Sequence, residues 1–144
     1  MSERLIDVTE VKVRFGEVDS MSIVWHGNYV KYLEEGRESF GQHFGISYLE
    51  IYSHNMMAPV VNMNIDYKKQ VQYGDSVVVE TEFVDTAAAK IQFKYRLFRK
   101  SDGDLVATAQ TTQVFITLER EMLLYPPPFA LEWKKRMGLT KGVK

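Results

Sequence analysis

Cysteine is absent from this chain, which excludes disulfide bonds, thiolate-ligated zinc and a thiol nucleophile together. Proline is scarce: three of the four stand in "YPPPF" at 125–129, which marks the end of the main pattern, and no proline-rich linker exists elsewhere. No apolar run approaches the length of a membrane span, and "MSERLIDVTE" at the start has no apolar signal core, so a cytoplasmic protein without a membrane span is expected. Neither charge sign is in excess. Eighteen Lys and Arg against nineteen Asp and Glu leave a formal charge of −1, which argues against nucleic-acid or anionic-membrane binding by bulk electrostatics. The chain has only three histidines; His43 and His54 have no companion at ligand spacing, and HExxH is missing, so no metal site is expected. There is also no glycine-rich phosphate loop, internal repeat or low-complexity tract.

What is present fits one domain over residues 1–144, with 45% hydrophobic residues to build a core. Helical periodicity is strongest from 28 to 45. Tyr29, Val30, Leu33, Gly36, Phe40 and Phe44 share one arc, and Lys31, Glu34, Glu35 and Glu38 lie opposite. Gly45 is placed to end this helix, and "ISYLEIYSH" at 46–54 adds a short second one. Gly36 lies on the apolar arc, where glycine costs about 1 kcal/mol relative to alanine; close approach of helix to sheet explains that better than a tolerated weak spot.

The remainder alternates with period two. Val11, Val13 and Phe15 define a first strand; Val61, Met63, Ile65 and Tyr67 a second; then come 76–85, 90–98 and 105–118. The turns "YGDS", "DTAAA" and "SDGD" make successive strands antiparallel neighbours. The order is strand, long helix, then four strands in a meander-like run: an α+β protein with one sheet packed on one helix. In the last strand "ATAQTTQ" at 107–113 is small and polar on both faces, which suits either contact with a second subunit or ligand, or a solvated face.

Between the first strand and the helix lies "VDSMSIVWHGNYVKYLEEGRESF" at 18–40. Asp19 has no lysine or arginine within four residues. The helix that follows offers unpaired backbone N–H groups and a positive dipole end, and Val24 and Trp25 supply apolar surface. A carboxylate beside helix-terminal amides suits hydrolysis of an activated acyl group: the acid attacks or activates water and the amides hold the oxyanion. The residues alone leave a plainer role open, with Asp19 capping a turn.

The stretch "RFGEVDSMSIVWHGNYVKYLEEGRESF" at 14–40 resembles the signature of the 4-hydroxybenzoyl-CoA thioesterase-like branch of the hotdog-fold acyl-CoA thioesterases. The resemblance is carried by a strand ending at Arg14 and Phe15, Asp19, Ile23 and Val24, Trp25, His26, Asn28 and Tyr29, and Glu34. "APVV" at 58–61 and "YGDSVVVET" at 73–81 extend it over about residues 8–118. It implies a hotdog fold, with a five- or six-stranded antiparallel sheet wrapped around the long helix. It implies Asp19 as catalytic carboxylate, nucleophile or general base, and the His26 amide as the group polarising the thioester carbonyl. The family commonly has glycine where this chain has Ser22. Asn28 has the chemistry of an N-cap, whereas the resemblance requires a turn beginning near Trp25.

The same resemblance implies an acyl-CoA substrate contacted by Val24, Trp25, Tyr29, Pro59 and Val60. Coenzyme A would be part of the substrate, with no further cofactor. Dimerisation would build the site between protomers of a homodimer or homotetramer. The expected activity is acyl-CoA thioester hydrolysis; the alternative is a hotdog protein that binds acyl-CoA or acyl carrier protein without hydrolysis. Arg37, at the edge of the apolar arc, either snorkels or pairs with a buried carboxylate. The basic tail "KKRMGLTKGVK" at 134–144 is either a phosphate contact or a solvated, frayed end.

Overall fold

The computed structural model describes residues 4–141 and 143. Strand β1 is Ile6–Lys12, and the chain then makes a 3-10 turn at Phe15–Glu17. A second 3-10 turn, His26–Asn28, runs directly into α1 at Tyr29–Phe44, which is followed by α2 at Tyr48–Ser53. Then come β2 (Met56–Met57), β3 (Val60–Tyr67), β4 (Ser76–Val84), β5 (Lys90–Arg99), β6 (Leu105–Val114), β7 (Ile116–Thr117) and α3 (Pro128–Arg136). Five strands form one antiparallel sheet in the order β1-β4-β5-β6-β3, while β2 pairs with β7. This is the expected α+β architecture of five strands and one long helix.

Four expectations need correction. First, the meander covers only β4, β5 and β6, since β3 pairs with β6 at the far edge. The connection after β3 spans the end of the sheet: the Lys68 and Lys69 N–H groups donate to the Val106 carbonyl, and the Asp75 carbonyl accepts from Val13. Second, β1 begins at Ile6 and does not reach Phe15, which turns outward and is 76% exposed, although Val13 is buried. Third, the long last strand breaks at the buried Phe115, after which β7 leaves to pair with β2. Fourth, the proline cluster opens a helix as well as closing the main pattern. Pro128 sits in the first turn of α3, where a missing N–H costs nothing.

Docking of α3 also decides the basic tail. Trp133 is buried against Phe83, with ring centroids 5.0 Å apart, and its indole N–H donates to the Phe44 carbonyl at 2.7 Å. Lys134, 6% exposed, pairs with Asp85 at 2.7 Å and donates to the Thr86 and Lys141 carbonyls. Leu139 is buried as well. The tail is therefore neither a frayed end through Leu139 nor, at Lys134, a free phosphate contact.

The buried face of α1 comprises Tyr29, Tyr32, Leu33, Gly36, Phe40 and Gly41. Val30 is only half-buried, and Tyr32 takes the place expected for it. Gly45 ends the helix in the left-handed region with φ 77°, as its position predicts. The helix lies chiefly over β1 and β4. A Cβ at Gly36 would fall 2.5 Å from Thr81 Oγ1 and 2.8 Å from Val79 Cγ1, so the expected close approach is real. From the next position on the helix, the Arg37 guanidinium donates to Tyr95 Oη at 3.2 Å, and that hydroxyl shares a 2.6 Å bond with Thr111 Oγ1. Burial pushes the Tyr95 phenol up, which keeps it neutral. The small inner residues of β6, Ala107 and Thr111, are thus covered by this layer.

Gly36→Ala tests the close approach. Helix propensity alone predicts a gain of about 1 kcal/mol. Both colliding side chains are β-branched and stiff, so the expected result is instead a loss of about 1–3 kcal/mol. A lowered urea midpoint at unchanged m-value is the measurement.

Candidate active site

The passage from Val13 to Trp25 folds back on itself and is laced to residues 71–75. Val13 donates to the Asp75 carbonyl at 3.1 Å, Val24 to that of Val71 at 2.8 Å, and Tyr73 to that of Ser22 at 3.0 Å. At its tip Asp19 N–H bonds the Ile23 carbonyl at 2.8 Å, and Ser22 N–H returns to the Asp19 carbonyl at 3.0 Å. Ser22 closes this turn at φ 62°, in the region where glycine is unstrained. Asp19 itself is exposed. Its Oδ1 accepts from the Met21 N–H at 2.8 Å and the Ile23 N–H at 3.3 Å, while Oδ2 has no hydrogen bond among the described residues. The turn-capping role open from the sequence is present in this geometry, carried by one oxygen.

Helical backbone begins at His26, not at Asn28. Trp25 is extended, with φ −64° and ψ 134°, and the 3-10 turn starts after it. Asn28 does not cap; its side-chain amide donates to the Glu17 carbonyl at 2.8 Å. The N–H groups of His26 and Gly27 come first in the turn and have no partner within it. Added to the dipole of α1, they give this end of the helix a partial positive charge. The turn is held from outside by Tyr67, whose hydroxyl donates to the His26 carbonyl at 2.9 Å. Tyr29 packs edge-on against Tyr67 with centroids 4.9 Å apart; burial pushes the Tyr29 phenol up.

Three of the expected residues meet here. Val24, His26 and Tyr29 line a cavity of about 250 Å³ together with Ile23, Tyr67 and Lys68. Lys68, Lys69 and Gln70 also border a groove of about 690 Å³ that continues to Arg99. Trp25 sits outside: it is 54% exposed, and its ring lies so close over Gly27 that a Cβ there would be 2.1 Å from it. Val60 lines a separate cavity of about 360 Å³ with Arg37, Phe93 and Gln113, and the exposed Pro59 supplies only its carbonyl, to Val114, at 3.2 Å. Within one protomer the two ends of the expected binding surface are not brought together.

Glu17 and Tyr67 escaped the sequence reading. Glu17 is 7% exposed, and its Oε1 accepts from the Arg14 N–H at 2.8 Å and the Tyr32 hydroxyl at 3.0 Å. Burial, then the Glu17 carboxylate, push the Tyr32 phenol up, so it stays a donor. The available signal was a second acid two residues before Asp19 in a loop otherwise poor in charge. The other histidines are occupied elsewhere: His43 meets Asp7 at 2.8 Å, and His54 stacks on Phe129. Among the described residues no group of three or more His, Asp or Glu gathers to hold a metal.

A family model described as the thioesterase-like superfamily matches residues 13–134, a span that includes the whole of this loop and turn. The chain belongs to that superfamily. It has the hotdog fold. The Bacillus subtilis protein YneP, provisionally named an acyl-CoA thioesterase, is 33% identical over 76% of this chain and 79% of its own length. The long-chain acyl-CoA thioesterase FadM of Escherichia coli is 28% identical over 94% of this chain and 98% of its own. Among solved structures, the DHNA-CoA thioesterase of Staphylococcus aureus superposes with a TM-score of 0.76 at 28% identity, covering 83% of this chain and 80% of that one. As in any superfamily, these likenesses assign no residue its role. No helix among the described residues is long and apolar enough to cross a membrane.

Proposed function

We propose that this thioester hydrolase acts on acyl-coenzyme A in the cytoplasm, releasing a carboxylic acid and coenzyme A, with Asp19 as its catalytic carboxylate. The observation that carries the reading is the helical turn beginning at His26. Its first N–H groups have no hydrogen-bond partner among the described residues and follow a loop that presents an exposed acid, in a chain of the thioesterase-like superfamily. In the proposed reaction the thioester carbonyl accepts from the His26 N–H. Asp19 then either deprotonates a water that adds to the carbonyl carbon, or adds itself and is freed by hydrolysis of the resulting anhydride. In both routes the C–S bond breaks, the thiolate leaves and takes a proton, and one water is consumed. No metal or redox cofactor takes part.

A second reading is favoured by one observation: Asp19 Oδ1 already accepts two turn N–H groups. A protein that only binds acyl-CoA or an acyl carrier protein needs nothing more from this residue. Asp19→Asn tests the catalytic role, because asparagine keeps the turn bonds and loses the charge. Hydrolysis predicts a fall in turnover of at least ~100-fold, the scale for loss of a general base, with acyl-CoA affinity and melting temperature kept. Thiol release across short, long and aromatic acyl-CoAs is the assay: no release by the unaltered protein leaves the binding-only reading standing, and near-normal turnover in Asp19→Asn overturns Asp19 as the catalytic carboxylate.

The groove leading from the cavity suits the phosphates of coenzyme A. Lys68 has no ion pair among the described residues, whereas Lys69 pairs with Asp104 at 2.7 Å and Arg99 with Asp102 at 2.8 Å. Exposed charges of this kind are screened by salt. Raising ionic strength should therefore raise KM, and Lys68→Ala should raise KM several-fold at low salt while flattening its salt dependence. An unchanged KM in both experiments excludes this groove.

Separation of Val60 from Val24, His26 and Tyr29 supports assembly. β3 is an edge strand with Val60 and Val61 exposed, and an exposed apolar edge invites pairing. A twofold dimer, or a tetramer built from it, would bring Pro59 and Val60 of a second copy toward the Asp19 loop. Light scattering at micromolar concentration should give at least twice the monomer mass; a stable monomer would count against a shared site.

A further inference from the structure

Glu17 has no part in the reaction scheme, yet its buried carboxylate and its backbone carbonyl together join the end of β1, the helical turn at His26 and the first turn of α1. Its Oε1 receives the Arg14 N–H, where the chain leaves β1, and the Tyr32 hydroxyl, from the first turn of α1. Its own carbonyl receives the Trp25 N–H at 3.0 Å and the Asn28 side-chain amide at 2.8 Å. Those two residues bracket His26 and Gly27, whose N–H groups open the helical turn. Two residues after Glu17 comes Asp19. One residue thus ties the loop that presents the acid to the turn that presents the amides.

A carboxylate this buried is costly unless its hydrogen bonds are made. Bonds to an ionised acceptor are roughly twice as strong as neutral ones, so an acid here holds its donors more firmly than an amide would. From this geometry we infer that Glu17 is a positioning residue for thioester hydrolysis. It sets the distance between Asp19 and the His26 and Gly27 amides through Tyr32, Trp25 and Asn28, without touching substrate. The inference rests on the proposed thioesterase reading for its catalytic consequence but not for its structural one. Glu17 is not a substitute general base, since it is 7% exposed and its Oε1 is committed to two donors.

The test compares Glu17→Gln, Tyr32→Phe and the double variant in the intact protein. Misplacement of reacting groups by about 1 Å costs on the order of 100-fold, so a weakened tie should lower kcat about 10-fold or more in Glu17→Gln. KM should change less than about twofold, because the cavity walls are untouched and the loss lies in the reacting geometry. Tyr32→Phe removes only one hydroxyl and preserves the fold if Glu17→Gln does not; it should lower kcat in the same sense. The double variant should lose less than the product of the two single losses, since both changes act on the same Glu17–Tyr32 bond. Wild-type kcat in both single variants, a fall in melting temperature without a fall in kcat, or losses that multiply in the double variant would each overturn the inference. Hydrogen exchange at the Trp25 amide, read without substrate, keeps the two proposals apart. Faster exchange in Glu17→Gln supports the tie even if the wild-type protein hydrolyses no acyl-CoA, and unchanged exchange overturns it even if hydrolysis is confirmed.

Discussion

The distance between α1 and the sheet is the constraint on which the other features rest, and it is set by the missing side chain of Gly36. With a Cβ only 2.5 Å from Thr81 Oγ1, no other residue allows the helix axis so near β4. The closeness has a cost beyond helix propensity. Thr81 Oγ1 is buried without a hydrogen-bond partner among the described residues, a penalty of about 1–3 kcal/mol. In exchange the helix brings Tyr32 within reach of Glu17, Arg37 within reach of Tyr95, and Phe40 against Phe83 and Phe93. A helix standing off by even one methyl layer would lose the polar contacts first, because hydrogen bonds tolerate far less displacement than apolar packing does.

Those polar contacts share a pattern. Glu17 with Tyr32, Arg37 with Tyr95 and Thr111, and Lys134 with Asp85 each join a helix to a loop or strand from a distant part of the chain. Buried polar pairs add little net stability compared with apolar packing, but they are severe about geometry, since breaking one partner strands the other. Apolar rings such as Phe40, Phe83 and Phe93 hold the core together in several arrangements; the polar ties select one. The site lies beside one of these ties, that of Glu17 with Tyr32 at the first turn of α1.

Asp19 shows how one residue serves a turn and remains available for chemistry. Its Oδ1 organises the loop through two backbone N–H groups, while Oδ2 is left without a hydrogen bond among the described residues. Ser22 at φ 62° closes the same turn, so the loop stores modest strain directly beside the exposed acid. At the neighbouring helical turn Tyr67 holds the His26 carbonyl and packs against Tyr29, whereas Trp25 lies over Gly27.

Local patterns were legible in the sequence wherever the information is local. Periods of 3.6 and 2 follow from which face of an element is buried, so α1, β4, β5 and β6 could be read with their short antiparallel turns. Gly36 and Gly45 could be read from their positions on the helix, and the place of Asp19 in the loop before the helix from a compact motif. What periodicity records is that a face is buried, never against what. The pairing of β3 with β6 depends on a connection whose bonds run to Val106 and Val13. The helix start at His26 depends on Asn28 finding the Glu17 carbonyl eleven residues away instead of capping. Docking of α3 depends on Phe44 and Asp85 waiting for Trp133 and Lys134. Separation of Val60 from Val24 depends on the whole curve of the sheet. Each is a contact between segments remote in sequence, and only the assembled tertiary structure decides which of many compatible partners a buried face or a spare hydrogen-bond donor meets.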